Sequence, residues 1–178
     1  TIGDLPASIG VASDLGPVHI EEGPVDSSCF PSERTTMPRY PQNNLAACML
    51  PWTEDFELDV PVFERHIQST LDDGYKCLYL MGTAGEGYAL NSDRFRQVVE
   101  VFAGLTVRDG IDPQIGVIGT SMEQSLERIQ LAYDLGIRMF QISLPSWGTL
   151  DEAETMLFFQ TVCGRFPDCR FLHYNLPR

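Results

Sequence analysis

From Asn44 onward, short apolar runs of strand length take turns with longer stretches whose apolar residues recur at helical spacing. The runs are Ala46–Leu50, Cys77–Met81, Ile115–Ile118, Met139–Leu144 and Arg170–Tyr174. Each is bounded by turn or capping residues and predicts a strand. Between them, Phe63, Ile67 and Leu71 fall on one helix face, as do Phe95, Val98, Val99 and Phe102. Met122, Leu126, Ile129 and Tyr133 predict the buried face of a third helix, and Met156, Phe159 and Val162 that of a fourth. Starts and stops agree with this. Asp59 with Pro61 caps the first helix and Asn91 the second, while Thr120-Ser121-Met122-Glu123 and Thr149-Leu150-Asp151-Glu152 read as capping boxes for the others. Gly74 and Gly136 are placed as C-terminal stops.

Predicted strands starting near residues 46, 77, 115, 139 and 170 give βα units of about 31 residues each. Eight such units would take about 250 residues, the usual size of a (β/α)8 barrel. The chain supplies a little over half of that, five strands and four helices, or else a complete open, doubly wound sheet of the flavodoxin type. Strand-helix alternation by itself does not separate the two.

Residues 1–43 read differently. Half of the chain's 12 prolines lie here, no helical periodicity is visible, and acids outnumber arginines. They predict an irregular or disordered extension ahead of a domain at 44–178. A basic n-region followed by a long apolar stretch is lacking, so the segment does not read as a signal peptide.

Composition narrows the function classes. A net charge of -13 argues against nucleic acid and against an anionic membrane surface, both of which call for clustered Lys and Arg. No apolar run approaches the length of a membrane span. The five cysteines are odd in number and lack metal-ligand spacing. Reduced core thiols and a cytoplasmic setting are the expectation, with a Cys163–Cys169 bridge the weaker alternative. Only three histidines occur, His19, His66 and His173, and they are scattered, so no metal set is expected.

The chemistry-bearing stretch is Leu78-Tyr79-Leu80-Met81-Gly82-Thr83-Ala84-Gly85-Glu86-Gly87, a strand running into a glycine-rich turn before a capped helix. Glycines at 82, 85 and 87 are expected to let the backbone bend sharply and bring N–H groups close to a ligand. The pattern is neither the dinucleotide fingerprint nor a Walker loop.

Three segments at the predicted strand ends resemble the dihydrodipicolinate synthase / N-acetylneuraminate lyase family of class I, pyruvate-type aldolases. Leu50-Pro51-Trp52-Thr53-Glu54-Asp55, closing on Asp59, is similar to the family's T-P-F segment. Gly82-Thr83-Ala84-Gly85-Glu86 resembles its G-[ST]-T-G-E loop, and Tyr174-Asn175-Leu176-Pro177 its Y-N-x-P motif. The resemblance implies a (β/α)8 TIM barrel. It implies a lysine of strand six that forms a Schiff base with pyruvate or a related 2-oxo acid while a carbon–carbon bond is made or cut. It implies no metal or organic cofactor, a small-molecule substrate, and a homo-oligomer.

Carried over, the resemblance makes Tyr174 the proton shuttle and Thr83 its hydroxyl relay. Backbone N–H groups around Ala84 and Gly85 hold the substrate carboxylate. Glu86 accepts from loop amides, and Asn175 fixes the turn. The chain departs from the family at three places. Ala84 stands where a second Thr is usual, so one carboxylate-binding hydroxyl is missing. Pro145-Ser146-Trp147 stands where the synthases have P-Y-Y, so Trp147 either shapes a more apolar substrate pocket or packs at a subunit contact. Arg178 follows Pro177 one place earlier than the family's arginine.

Lys76 is the sole lysine of the 178 residues. It precedes the second strand, at the barrel face opposite the expected site, so it is not the Schiff-base lysine. The expectation is a fragment of a longer lyase, inactive by itself. The alternative is a non-catalytic truncated barrel that acts as a binding or scaffold protein.

Overall fold

The structure is a computed structural model and describes residues 43–175. The extension expected at 1–43, apart from Asn43, and Leu176, Pro177 and Arg178 lie outside the described residues, as does Cys29. Five strands and four helices alternate. They are β1 (Ala46–Cys48), α1 (Val60–Asp72), β2 (Cys77–Leu80), α2 (Ser92–Thr106), β3 (Asp112–Val117), α3 (Met122–Asp134), β4 (Met139–Ile142), α4 (Glu152–Arg165) and β5 (Arg170–His173). A 3-10 turn, Gly87–Ala89, follows β2.

All neighbouring strands pair in parallel, and they lie in the order β1-β2-β3-β4-β5. A doubly wound sheet needs a reversal of strand order so that helices cover both faces. Here the order never reverses and each helix packs on the next, α1 on α2, α2 on α3 and α3 on α4. The helices form one layer on one face, which is the barrel arrangement. The open-sheet reading is thereby set aside.

Register assigns the two faces. Cys48, Leu80, Ile115, Phe140 and Phe171 form one row across the sheet. All of them join the apolar core under the helices. The alternate rows, Ala47-Tyr79-Gln114-Met139-Arg170 and Gly116-Gln141-Leu172, belong to the helix-free face. That face is the barrel interior. It is more polar than the outer face, with Gln114 and Gln141 among its buried residues.

Helix ends follow local chemistry, with two shifts from expectation. Asp59 accepts from the Val62 N–H at 3.1 Å and Asn91 from the Arg94 N–H at 2.9 Å, as their positions predict. The cap of α3 is Ser121 rather than Thr120: its hydroxyl accepts from the Gln124 N–H at 3.2 Å. Gln124 Oε1 in turn accepts the Thr120 N–H at 3.0 Å, so the reciprocal partner is Gln124 and not Glu123. The cap of α4 is Asp151 rather than Thr149. Asp151 Oδ1 accepts the Glu154 N–H at 2.8 Å, and Glu154 Oε2 accepts the Asp151 N–H at 3.0 Å, a complete capping box.

Two buried faces also differ from the predicted stripes. In α4 it is Phe158 and Val162 that are buried, continuing to Phe166, while Met156 is 52% exposed. In α3 the fully buried set is Ser125, Arg128, Ile129, Leu131 and Ala132, while the expected Met122, Leu126 and Tyr133 pack half-buried against the core. Cys163 and Cys169 are free thiols, so the weaker disulfide reading is not realised. Among the described residues no helix is long and apolar enough to cross a membrane.

Candidate active site

The glycine-rich loop leaves the C-terminal end of β2. Its left-handed positions are Met81 and Glu86, at φ 60° and 50°, whereas Gly82, Gly85 and Gly87 have no positive φ. Non-glycine residues in the left-handed region carry strain. The glycines are required by close approach instead. A β-carbon at Gly87 would lie 2.6 Å from Met81 Cβ, and one at Gly85 would lie 3.1 Å from the Met81 nitrogen. The loop therefore folds back over Met81, which is fully buried.

This folding commits some amides and leaves others. Gly85 N–H donates to the Gly82 carbonyl at 3.1 Å and Glu86 N–H to the Thr83 carbonyl at 3.2 Å. The amides of Thr83 and Ala84 donate to no group among the described residues, and both residues are exposed. Of the pair first considered for a carboxylate, Ala84 has a free N–H, whereas that of Gly85 is turned inward. Thr83 adds a second free amide and its hydroxyl. Two adjacent N–H groups with a hydroxyl suit a carboxylate's two oxygens.

Tyr174 follows β5. Its N–H donates to the Ile142 carbonyl at 2.9 Å, which continues the ladder and fixes its place. Neighbouring His173 packs its ring on Phe159 on the helix side, with centroids 4.7 Å apart. Adjacent strand residues face opposite ways, so Tyr174 belongs to the interior face, where it is 41% exposed. Thr83 and Tyr174 thus sit at the same end of the sheet, after β2 and after β5. Trp147 lies in the β4–α4 loop at 91% exposure. Its neighbour Ser146 donates its N–H to the Gly119 carbonyl at 3.2 Å.

Sequence reasoning passed over four residues. Tyr79 points into the interior, and its hydroxyl is buried without a hydrogen-bond partner. Burial, and then the Tyr174 phenol, push its pKa above the ordinary phenol range, so the two phenols share one electrostatic neighbourhood. Gln114 Nε2 and Ser143 Oγ are likewise buried without partners. The signal for Tyr79 was the strict alternation Leu78-Tyr79-Leu80, which turns a polar-tipped aromatic to the face opposite two leucines. The fourth residue is Arg128 of α3, only 2% exposed. Its guanidinium donates to the carbonyls of Gly87 at 2.8 Å, Ile118 at 3.0 Å and Leu90 at 2.6 Å. It also lies 4.8 Å over the Phe95 ring. Burial lowers its pKa, with Glu127 opposing. The signal was an arginine placed between Ser125 and Ala132 on the helix's inner face.

Lys76 is exposed at the start of β2, the end opposite the loop, where its carbonyl accepts the Asp112 N–H at 2.8 Å. His66 Nε2 accepts the Met49 N–H at 3.3 Å and ties α1 to the end of β1.

The arrangement is an exposed, amide-rich loop after the second strand, with a tyrosine after the fifth on the inner face of a barrel sheet. The model of the dihydrodipicolinate synthetase family matches residues 41–178. The chain belongs to that family. A 4-hydroxy-tetrahydrodipicolinate synthase from Exiguobacterium sibiricum is 30% identical over 132 residues, covering 74% of this chain and 44% of that enzyme. Rat N-acetylneuraminate lyase is 26% identical over 140 residues, covering 76% and 43%. Among solved structures, a prophage protein of the dihydrodipicolinic acid synthase family from E. coli K12, in complex with pyruvate, superposes with a TM-score of 0.70. Identity is 22%, over 75% of this chain and 44% of that one. Dihydrodipicolinate synthase from Aquifex aeolicus also gives 0.70, at 21% identity over 76% and 45%. The chain thus spans less than half the length of these family members, and it matches the first strands and helices of their TIM barrels.

Proposed function

We propose that this chain is the oxo-acid-binding part of a class I aldolase or lyase, a cytoplasmic homo-oligomeric enzyme that makes or cleaves a carbon–carbon bond beside a pyruvate-derived imine. The observation that carries the proposal is the pair of adjacent exposed residues Thr83 and Ala84, whose amides have no partner among the described residues. They stand at the C-terminal end of the barrel strands, the end where barrel enzymes bind their substrates. In this reading the carboxylate of the 2-oxo acid accepts from those amides and from the Thr83 hydroxyl. A lysine amine attacks the ketone carbon, water leaves, and a protonated imine forms. Loss of a proton from the adjacent carbon gives an enamine, whose electron pair makes the new bond to an aldehyde carbon, and the aldehyde oxygen takes up a proton. Tyr174 moves protons in these steps, with Thr83 as relay. Trp147 borders the substrate or is covered by a second subunit.

The lysine belongs to a sixth strand, which these residues do not include, and Lys76 stands at the wrong end of β2 to replace it. The test is intact-mass spectrometry after pyruvate and borohydride, on the 178-residue chain and on the longest product of its gene. The expected result is a reduced pyruvate adduct on the long product alone. Absence of an adduct on both would overturn the imine chemistry. An adduct at Lys76 of the short chain would overturn the placement of the site.

A further inference from the structure

Residues 82–90 are hydrogen-bonded mostly to themselves. Gly85, Glu86, Ala89 and Leu90 all donate to carbonyls within the loop. Among the described residues, the only hydrogen bonds joining this segment to another part of the chain are those from Arg128 to Gly87 and Leu90. The same guanidinium nitrogen that holds Gly87 also holds Ile118, at the end of β3. One planar side chain therefore ties the loop, the neighbouring strand end and α3 together, as the rigid fork of arginine permits and a lysine would not. The loop it ties is held at two strained residues, Met81 and Glu86, so it needs an outside restraint to keep its shape.

The charge is the second point. Among the described residues no carboxylate lies within ion-pair distance of Arg128; Glu127 acts on it only through space, and Phe95 presents its ring face to the guanidinium. Its Nη1 and Nη2 donate only to carbonyls and its Nε is buried without a partner, so the cation keeps a positive field in a region of low dielectric.

We propose that Arg128 is a positioning residue for the substrate carboxylate: it clips the 82–90 loop in the shape that presents the Thr83 and Ala84 amides, and its unmatched charge adds to the attraction for the anion. This rests on the reading of the loop as the oxo-acid site. Arg128 need not touch the substrate.

The test uses the full-length gene product and the variants Arg128→Met and Arg128→Lys, each checked for fold by circular dichroism. Two quantities are read: amide hydrogen exchange over residues 83–90, and the pyruvate concentration that gives half-maximal borohydride trapping. In Arg128→Met, exchange over the loop rises while that of α1 is unchanged. Half-saturation rises about tenfold or more, the order expected when the loop amides no longer meet the carboxylate, with a smaller change in the saturated rate. Arg128→Lys keeps the charge without the fork, so its exchange stays high while part of the affinity returns. If the Met variant does not fold, the Lys variant carries both readouts against the wild type. Unchanged loop exchange overturns the clip. Raised exchange with unchanged half-saturation overturns the role in carboxylate binding. If the wild type traps no pyruvate, the oxo-acid reading fails and takes the carboxylate role with it, while exchange still decides whether Arg128 holds the loop.

Discussion

The phenol of Tyr79 occupies the space that a side chain at Gly116 would need. A β-carbon at position 116 would lie 3.0 Å from the Tyr79 oxygen and would overlap the Met81 carbonyl. Gly82 stands in the same relation, since a β-carbon there would be 2.6 Å from the Tyr79 ring and oxygen. Gly82 thus makes room for the Tyr79 ring, and Gly116, on the neighbouring strand, for the Tyr79 oxygen and more closely for the Met81 carbonyl. Gly116→Ala is expected to cost more than about 2 kcal/mol, because the blocking atom is backbone and cannot rotate away. Urea midpoints of the full-length protein check this. Midpoints within experimental error of each other would mean that β2 and β3 shift freely.

Tyr79→Phe tests the hydroxyl itself. As a buried group without a partner it costs about 1–3 kcal/mol, so its removal is expected to leave stability unchanged or raise it. A loss of about 1 kcal/mol in the same urea measurement would show that Tyr79 is paired in solution, by water or by Tyr174.

The caps separate what the residue pattern predicted from what the structure chose. Asp151→Ala is expected to destabilise by about 1 kcal/mol, and Ser121→Ala by a similar amount, since each accepts an orphan amide of its helix. Thr149→Ala is expected to be neutral. Thermal unfolding of the three variants checks the order. A larger loss at Thr149 than at Asp151 would make Thr149 the cap of α4.

Much of the fold was legible because parallel βα units bury a continuous apolar row on the helix side, such as Leu80, Ile115 and Phe140, and punctuate it with caps and glycines. Cap positions slipped by one or two residues because Thr120, Ser121, Thr149 and Asp151 are all competent caps in sequence. The choice among them depends on where Gln124 and Glu154 reach back. The placement of Thr83 and Tyr174 at one end of the sheet was legible through short motifs at strand ends. Tyr79 and Arg128 left only weak signals and Gln114 none, since a strand's second face and a helix's polar inner residue declare themselves fully only once neighbours are known. Which of the loop amides stay free also depends on the left-handed turns at Met81 and Glu86, which no propensity for glycine foretells.

Burial alone pushes the Cys48 thiol up to about 12 from 9.0. In the unfolded chain this thiol ionises above about 8.5, while the folded chain keeps the proton, so the unfolded state binds fewer protons at alkaline pH. The contribution is fully present below the unfolded pKa and is lost as pH rises towards the folded one. The expected slope is about 1.4 kcal/mol per pH unit between about pH 9 and the folded value. Urea midpoints from pH 7.5 to 10.5 should fall faster for wild type than for Cys48→Ala. Parallel slopes would show that Cys48 ionises as easily folded as unfolded.

Tyr174 and Thr83 are assigned to one proton path, and a pair of substitutions tests that directly. The backbone of Tyr174 is held through its N–H to Ile142, so Tyr174→Phe removes the phenol oxygen without freeing the strand end. In the full-length enzyme, turnover at saturating oxo acid is expected to fall by about 10²-fold or more, the range of a lost general acid–base group. Thr83→Val keeps the shape and the amide but breaks the relay, and is expected to fall comparably. If the two act in series, the double variant is little worse than either single one, because the second loss removes a step already disabled. Trp147→Phe retains an aromatic ring at an exposed loop position and is expected to change turnover little. Multiplying losses in the double variant would separate Thr83 from Tyr174. A Tyr174→Phe enzyme within twofold of wild type would remove Tyr174 from the reaction.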